Sequence, residues 1–165
     1  MTSDSQKIIL DTTYILPLFG LEICLDEIFI NELLSVLTNE ISGIDIIIPS
    51  TILLESLYLL NRSYRRTNNA EFLKRYSLIL PSITKNEHLT IFDPLKDHLS
   101  MQYAFKIREN GHRDLLDCLI ASTAWRLDGI FISEERDLKQ IIETMEVVDQ
   151  ISIKKWKDFR ALFLC

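Results

Sequence analysis

The chain has 165 residues, of which 47% are hydrophobic and 25% are charged, a composition typical of one globular domain over residues 1–165 rather than of a disordered segment. Its formal net charge of −6 excludes a protein that binds nucleic acid through a generally basic surface, so any nucleic-acid site must be local. No uncharged apolar run approaches about 18 residues and the chain starts without a basic signal-peptide segment, so we expect a cytoplasmic protein with no membrane span.

The first half of the chain alternates between short apolar runs and amphipathic stretches. The apolar runs are rich in β-branched residues, and the longer stretches have apolar side chains at helical spacing. In chain order the predicted elements are a strand at 7–10, a helix that starts at 11–13, a helix at 21–38, a strand at 44–48, and a helix that opens at 49–51 and ends near Tyr64.

The second half repeats this alternation and contains the most apolar helix of the chain. Its predicted elements are a helix at 70–83 interrupted at Pro81, a strand at 89–92, helices at 95–109 and 114–127, a strand at 130–132, a helix capped by Ser133 that runs to Thr144, and a last helix at 156–163. Strands that alternate with helices predict parallel βαβ units. We therefore expect an α/β three-layer sandwich with a central, mostly parallel sheet flanked by helices.

Acidic residues follow the predicted strands at the edge where open parallel sheets bind ligands. Asp11 comes directly after the first strand, and Glu55 lies in the helix after the second. Asp117 is close to the start of the most apolar helix, and Glu135 and Asp137 follow the strand at 130–132. The predicted fold therefore gathers these acids at one edge of the sheet.

A bound cation explains this gathering better than a set of unpaired charges. Glu55 and Asp117 lie within apolar runs and have no adjacent Lys or Arg, so each ionised carboxylate needs a partner. Two carboxylates about 4 Å apart repel by about 4 kcal/mol at an effective dielectric of about 20. A site made only of carboxylate oxygens suits a hard cation, which predicts Mg²⁺ or Mn²⁺.

Each acid also has a local interpretation that the sequence leaves open. Asp11 can cap a helix, and Asp114 with Asp117 can form a capping pair where the helix dipole favours negative charge. Glu135 and Asp137 are equally typical of the first turn of a helix. Glu55 lies in a second helical turn, where capping gains nothing.

With these residues in view, the chain resembles the PIN-domain nuclease family, which includes toxins of the VapBC toxin–antitoxin type. Four stretches carry the resemblance in the family's order, and residues 62–113 add only compatible helices and a strand. The stretches are Ile8-Ile9-Leu10-Asp11-Thr12-Thr13, Pro49-Ser50-Thr51-Ile52-Leu53-Leu54-Glu55, Asp117-Cys118-Leu119-Ile120-Ala121-Ser122-Thr123-Ala124 and Phe131-Ile132-Ser133-Glu134-Glu135-Arg136-Asp137-Leu138.

The resemblance implies a metal-dependent endoribonuclease whose catalytic residues are Asp11, Glu55, Asp117 and Glu135. Asp11, Asp117 and Glu135 are then the metal ligands, and Glu55 holds water or acts as the base. Glu135 stands where the family usually has Asp, so Asp137 replaces or assists it. A supporting set orients these carboxylates, and its members are Thr13, Ser133 and Asp114.

Partners follow from the same resemblance, which implies an RNA substrate, an antitoxin protein and a homodimer. Arg62, Arg65 and Arg66 share one side of a predicted helix and are candidate RNA contacts, with a solvated polar surface as the alternative. The other candidate function is a catalytically weak PIN-like module that binds RNA or protein. A phosphoryl-transfer enzyme with an aspartyl intermediate fits poorly, because Thr13 stands where phosphatases of that type need a second Asp.

The histidines and cysteines suggest no further site. His88, His98 and His112 have no spacing suited to a metal or a nucleophile, so we expect them to be structural or exposed. The three cysteines are widely spaced and match neither a disulfide framework nor a zinc motif, which predicts reduced structural thiols.

Overall fold

A parallel sheet forms the centre of the molecule, as predicted, and it has five strands where the sequence predicted four. The structure, a computed structural model, describes residues 5–21, 27–145 and 151–164. The strands are β1 (Gln6–Leu10), β2 (Ile44–Pro49), β3 (Leu89–Phe92), β4 (Ile130–Ile132) and β5 (Ser152–Lys154). Their order is β3-β2-β1-β4-β5, and each neighbouring pair is parallel.

The helices connect and flank these strands and complete the α/β sandwich. They are α1 (Glu27–Thr38), α2 (Ser50–Thr67), α3 (Glu71–Thr84), α4 (His98–Glu109), α5 (Leu115–Leu127), α6 (Arg136–Thr144) and α7 (Trp156–Phe163). Short 3₁₀ turns lie at Thr12–Tyr14, Leu16–Phe19 and Pro94–Lys96. Among the described residues, no helix is long and apolar enough to cross a membrane.

The central strands are apolar without alternation because helices cover both sides of the sheet. In β1, Ile8, Ile9 and Leu10 are fully buried, and the end of β2 from Ile46 to Ile48 is buried as well. Each such side chain contributes about 1.5–3 kcal/mol through its burial. The sheet is therefore a rigid base for residues at its carboxyl edge.

Two predicted element starts differ from the structure for local reasons. The stretch after Asp11 forms two 3₁₀ turns rather than an α-helix, because Pro17 lacks an amide proton and Gly20 ends the second turn with a left-handed φ of 77°. Ser133 does not cap the helix that follows it. Its hydroxyl turns back towards Asp11, and Glu135 holds the N-cap position of α6 without a side-chain capping bond.

Three other predicted helices differ from the structure in smaller ways. Pro81 does not interrupt α3, because Pro81 and the residue four positions earlier, Ser77, are both exposed, and water can take the carbonyl that the proline leaves free. The predicted helix at 95–109 is a 3₁₀ turn followed by α4, which Asp97 caps by accepting from the Ser100 amide. The predicted helix at 21–38 is helical from Glu27 onwards, and residues 22–26 lie outside the described part of the chain.

Candidate functional site

The direction in which strands are added to the sheet reverses at β1, which makes the carboxyl end of β1 a candidate position for ligand binding. From β1 the chain proceeds to β2 and β3 on one side, whereas β4 and β5 lie on the other. In such sheets the crevice beyond the central carboxyl ends is where ligands bind. The Asp11 amide donates to the Ile132 carbonyl at 3.1 Å, so Asp11 and Ser133 follow paired ends of neighbouring strands.

Asp11 is a nearly buried carboxylate held by two hydrogen bonds. Oδ1 accepts from the Thr12 amide at 2.7 Å, and Oδ2 accepts from the Ser133 hydroxyl at 2.8 Å. Burial, and after it the charges of Asp117 and Glu55, raise the pKa of Asp11 from 3.8 to about 7, although both hydrogen bonds lower it. Asp11 thus caps the first 3₁₀ turn and also belongs to a group of repelling acids.

Glu55 approaches Asp11 from the second turn of α2, which follows β2 without a loop. Its carboxylate accepts a hydrogen bond from the Thr12 hydroxyl. Burial raises the pKa of Glu55; the Thr12 bond lowers it, and the charges of Asp117 and Asp114 raise it further. The hydroxyl that contacts Glu55 is therefore that of Thr12, whereas we expected Thr13 to orient a carboxylate of the site. Thr12 is buried on the side of the 3₁₀ turn that meets α2.

Asp117 enters the same region from the first turn of α5. Burial raises its pKa, the hydrogen bond with His112 lowers it, and the charge of Asp114 raises it. The Nε2 atom of His112 lies 3.1 Å from Asp117 Oδ2, and the histidine is only 6% exposed. Asp114 is the N-cap of α5 and accepts from the amides of Leu116 and Asp117 at 2.8 and 3.5 Å. Asp114 therefore caps the helix and also acts electrostatically on its neighbours.

Glu135 and Asp137 are exposed and reach the site from its open side. Together with Asp114 and Asp117 they line a cleft of about 550 Å³. His112 and Arg113 line the same cleft. Glu135 and Asp137, the two candidates for the fourth carboxylate, therefore line the same open cleft as Asp117. Both are exposed, whereas Asp11 is buried.

The neighbouring Glu134 has a different environment. It accepts from the Tyr14 hydroxyl at 3.2 Å and from the Trp156 amide at 3.3 Å, and it forms an ion pair with Lys155. These contacts tie the turn after β4 to the start of α7. Glu134 thus serves the fold, which leaves Glu135 facing the cleft.

The donor set fits a divalent cation in chemistry and in charge. The charges of Asp117 and Glu55 both raise the pKa of Asp11, and the charge of Asp117 also raises the pKa of Glu55, so the three carboxylates lie near one another. As placed, however, no three acidic, His or Cys side chains among the described residues surround one point, since Glu55 turns to Thr12 and Asp117 turns to His112.

The three arginines that were predicted as RNA contacts do not all line the same groove. Arg62 and Arg66 line a groove beside the 3₁₀ turn Leu16–Phe19, whereas Arg65 is not among the residues that line it. All three are exposed near the end of α2. Tyr76, on the neighbouring α3, donates its hydroxyl to the Leu53 carbonyl and stacks on Phe19.

Sequence reasoning singled out neither His112 nor Thr12, the residues whose side chains contact Asp117 and Glu55. The position of His112, five residues before Asp117 in the turn that leads into α5, is the sequence signal for this histidine–carboxylate pair. Cys118 is a reduced buried thiol, as expected, and burial raises its pKa to about 11. Cys24 and Cys165 lie outside the described residues.

Several solved structures share this fold. The VapBC2 complex of Rickettsia felis, bound to a fragment of promoter DNA, superposes with a TM-score of 0.59 at 17% identity over 92% of this chain and 99% of its own. The DNA-bound VapBC complex of Salmonella typhimurium gives 0.59 at 14% identity, over 92% and 98% of the two chains. VapBC-1 of nontypeable Haemophilus influenzae gives 0.57 at 16%, over 92% and 99%. At such identities the likeness is one of fold.

The sequence itself identifies the family. No curated protein matches it at a significant level. The family model described as the PIN domain matches residues 8–143, a span that contains Asp11, Glu55, Asp117 and the turn after β4. The chain therefore belongs to the PIN-domain family.

Proposed function

We propose that the chain is a cytoplasmic endoribonuclease that depends on Mg²⁺ or Mn²⁺ and hydrolyses RNA phosphodiester bonds. The observation that carries the proposal is the proximity of three buried or half-buried carboxylates at the switch point of the sheet, where the charges of Glu55 and Asp117 act on Asp11 and that of Asp117 acts on Glu55. Such a group is stabilised by a cation, and its all-oxygen composition favours a hard one.

Each residue has a distinct task in this proposal. Asp11 and Asp117 would hold the ion, and Glu135 or Asp137 would add a carboxylate from the open side of the cleft. When bound, a divalent cation activates water and neutralises charge on the departing oxygen. Glu55 would take the proton from the attacking water, since its raised pKa brings a carboxylate closer to the neutral range in which a base is effective.

Hydrogen bonds fix this arrangement before substrate arrives. Ser133 links the two strand ends, because its hydroxyl donates to Asp11 and accepts from the Glu135 amide at 3.1 Å. The Thr12 hydroxyl donates a hydrogen bond to the Glu55 carboxylate and so fixes its orientation. Carboxylates that are oriented in advance need little rearrangement at the moment of reaction, which is the main source of catalytic power in such sites.

Cleavage of an unstructured RNA in Mn²⁺ or Mg²⁺ tests the proposal. We expect Asp11→Asn and Asp117→Asn each to reduce kcat/KM by at least about 100-fold, because each removes a charged ligand. Asp128→Asn is the matched control: it lies at the other end of α5 in a left-handed conformation that Asn also accepts, and it should cut like the parent. Cutting that survives both site variants would rule out this site.

A role as the toxin of a toxin–antitoxin pair is the finer part of the proposal. It is supported by the fold shared with the VapBC complexes described above. Induced expression in a bacterial host should arrest growth, and Asp117→Asn should relieve the arrest. Equal growth arrest by the parent and by a folded Asp117→Asn variant would contradict a toxin that acts through this site.

The second candidate is a binding module with little or no catalytic activity. It is favoured by the exposure of Glu135 and by the hydrogen bonds that engage Glu55 with Thr12 and Asp117 with His112. The same assays separate the two candidates, because a module neither cuts RNA nor binds Mn²⁺ at the acids. Mn²⁺ binding that is lost in Asp11→Asn would instead support the nuclease.

A further inference from the structure

A groove with two arginines lies along α2, away from the acidic cleft. Its volume is about 540 Å³. We call it the arginine groove, and its main lining residues are Gly20, Leu59, Arg62, Ser63, Arg66 and Phe72. The lining thus combines guanidinium groups with an apolar floor and a half-buried aromatic ring.

The arginine groove lies on the same side of α2 as Glu55. Glu55, Leu59, Arg62 and Arg66 are spaced by four, three and four residues, which places them on the same side of the helix. Arg62 is seven residues from Glu55, or about 10 Å along the axis, and Arg66 is about 16 Å away. A strand whose reacting phosphate lies at Glu55 would therefore pass over both arginines.

A third guanidinium lies at the edge of the groove. Gly20 has a left-handed φ of 77°, and a side chain there would collide with Arg75 Nη1, so Arg75 lies directly over the glycine. None of the ion pairs among the described residues engages Arg62, Arg66 or Arg75. In a chain with a net charge of −6, three arginines that form no ion pair with any described carboxylate and lie at one groove are suited to an external anion.

The spacing and composition of the groove favour a nucleic-acid strand as that anion. Arg62 and Arg66 are four residues apart, so their Cβ atoms are about 5–6 Å apart, close to the separation of neighbouring phosphates. Guanidinium groups bind phosphates in a bidentate manner, and a half-buried aromatic ring such as Phe72 offers a surface for one base.

We propose that the arginine groove is a backbone-binding track for single-stranded RNA that leads the strand to Glu55. Arg62 and Arg66 hold phosphates two to four nucleotides from the scissile bond, and Phe72 supports a base. Arg65 does not take part, since consecutive helical residues point about 100° apart and it lies outside the groove. The inference rests on the proposed nuclease function, which it extends by naming the path of the substrate.

Binding without cleavage tests the track. An Asp117→Asn background in Mn²⁺ is titrated with a labelled RNA dodecamer over a range of salt concentrations. We expect Arg62→Gln and Arg66→Gln each to weaken binding roughly fivefold and to reduce the slope of log K against log salt by about 0.7, the loss of one phosphate contact. Arg65→Gln removes the same charge one position away and should leave the slope unchanged.

Cleavage assays on the chain with Asp117 intact show whether the two arginines act on substrate binding or on the chemical step. Arg62→Gln and Arg66→Gln should raise KM for the dodecamer with little change in kcat, whereas a trinucleotide too short to span the groove should be cut equally by parent and variants. Equal effects of all three arginine variants, or dodecamer binding that none of them changes, would overturn the track. If the chain cuts no RNA but dodecamer binding still depends on Arg62 and Arg66 and not on Arg65, the track stands and the proposed function fails.

Discussion

His112 is the residue whose environment adds most to the site. Its Nε2 lies 3.1 Å from one oxygen of Asp117, and its own carbonyl accepts from Arg108 at 2.7 Å. A buried ring fixed in this way gives Asp117 one preferred orientation and leaves the other carboxylate oxygen free. Groups that orient ligands in this manner are typically worth 10–100-fold in metal affinity.

We predict that His112→Phe weakens Mn²⁺ binding about 10–100-fold, because the ring volume is kept while the hydrogen bond to Asp117 is lost. His112→Gln, whose amide nitrogen can replace Nε2 as a donor, should stay within about threefold of the parent. The measurement is a Mn²⁺ titration followed by electron paramagnetic resonance. Matched far-UV circular dichroism of the two variants is the control for folding, and parental Mn²⁺ affinity in a folded His112→Phe would contradict the positioning role.

At the scale of elements, the start of α5 carries a capping acid, Asp114, and a proposed metal ligand, Asp117, within one turn. Asp114 accepts from two free amides at the helix start, while Asp117 projects into the cleft. The cap stabilises α5, although its charge also raises the pKa values of Asp117 and Glu55. A substitution of Asp114 that removes its charge but keeps its hydrogen bond separates the effect of capping from that of repulsion.

Asp114→Ala should lower the free energy of unfolding by about 1 kcal/mol, because it removes the cap of α5. Asp114→Ser keeps a capping oxygen and removes the charge, so its loss should be less than half as large. Urea unfolding of the metal-free proteins at neutral pH measures both. Equal losses in the two variants would mean that charge at the helix start, rather than the capping bond, is what stabilises α5.

The elements that sequence patterning predicted are those with strong local signals. The apolar strands β1 to β4, the capped helix α5 and the terminal helix α7 followed from runs of buried residues and from capping residues. β5 was missed, because Ser152–Lys154 is three residues long with only one apolar side chain, and its pairing with β4 is decided by tertiary contact.

The site was predictable in its carboxylates and not in its hydrogen bonds. Asp11, Glu55 and Asp117 come together because strand ends and helix starts meet at one edge of the sheet. The choice of Thr12 and His112 as hydrogen-bond partners depends on the direction in which a short turn points each side chain. That direction is set by packing against α2 and α5, and no sequence period encodes it.

At the scale of the whole molecule, the acidic site should determine how stability depends on pH. Asp93 and Asp97 have lowered pKa values, chiefly through hydrogen bonds and the cations Lys96 and Arg126, so their contribution is lost as the pH falls below about 4. Asp11 acts in the opposite direction. Its pKa is 3.8 when unfolded and about 7 when folded, so the folded state binds more protons between these values, and stability falls as the pH rises through that window.

Metal-free protein should therefore be most stable near pH 4–5 and should lose a few kcal/mol of unfolding free energy by about pH 7. Asp11→Asn should flatten this decline, because Asn does not ionise. Urea unfolding in a chelating buffer at several pH values measures it. The same decline in Asp11→Asn would assign the pH dependence to other groups.

Adding Mn²⁺ should offset much of this decline in the parent protein. Ionised carboxylates bind the cation and protonated ones do not, so the stabilisation grows from pH 5 to pH 8. At a free Mn²⁺ concentration 100 times Kd it reaches about 2.7 kcal/mol, and Asp11→Asn should show little of it. The measurement is the midpoint of thermal unfolding with and without Mn²⁺ at each pH. Equal stabilisation of the parent and of Asp11→Asn would place the ion elsewhere, because a cation at this site must exchange with the proton that burial and the neighbouring charges hold on Asp11.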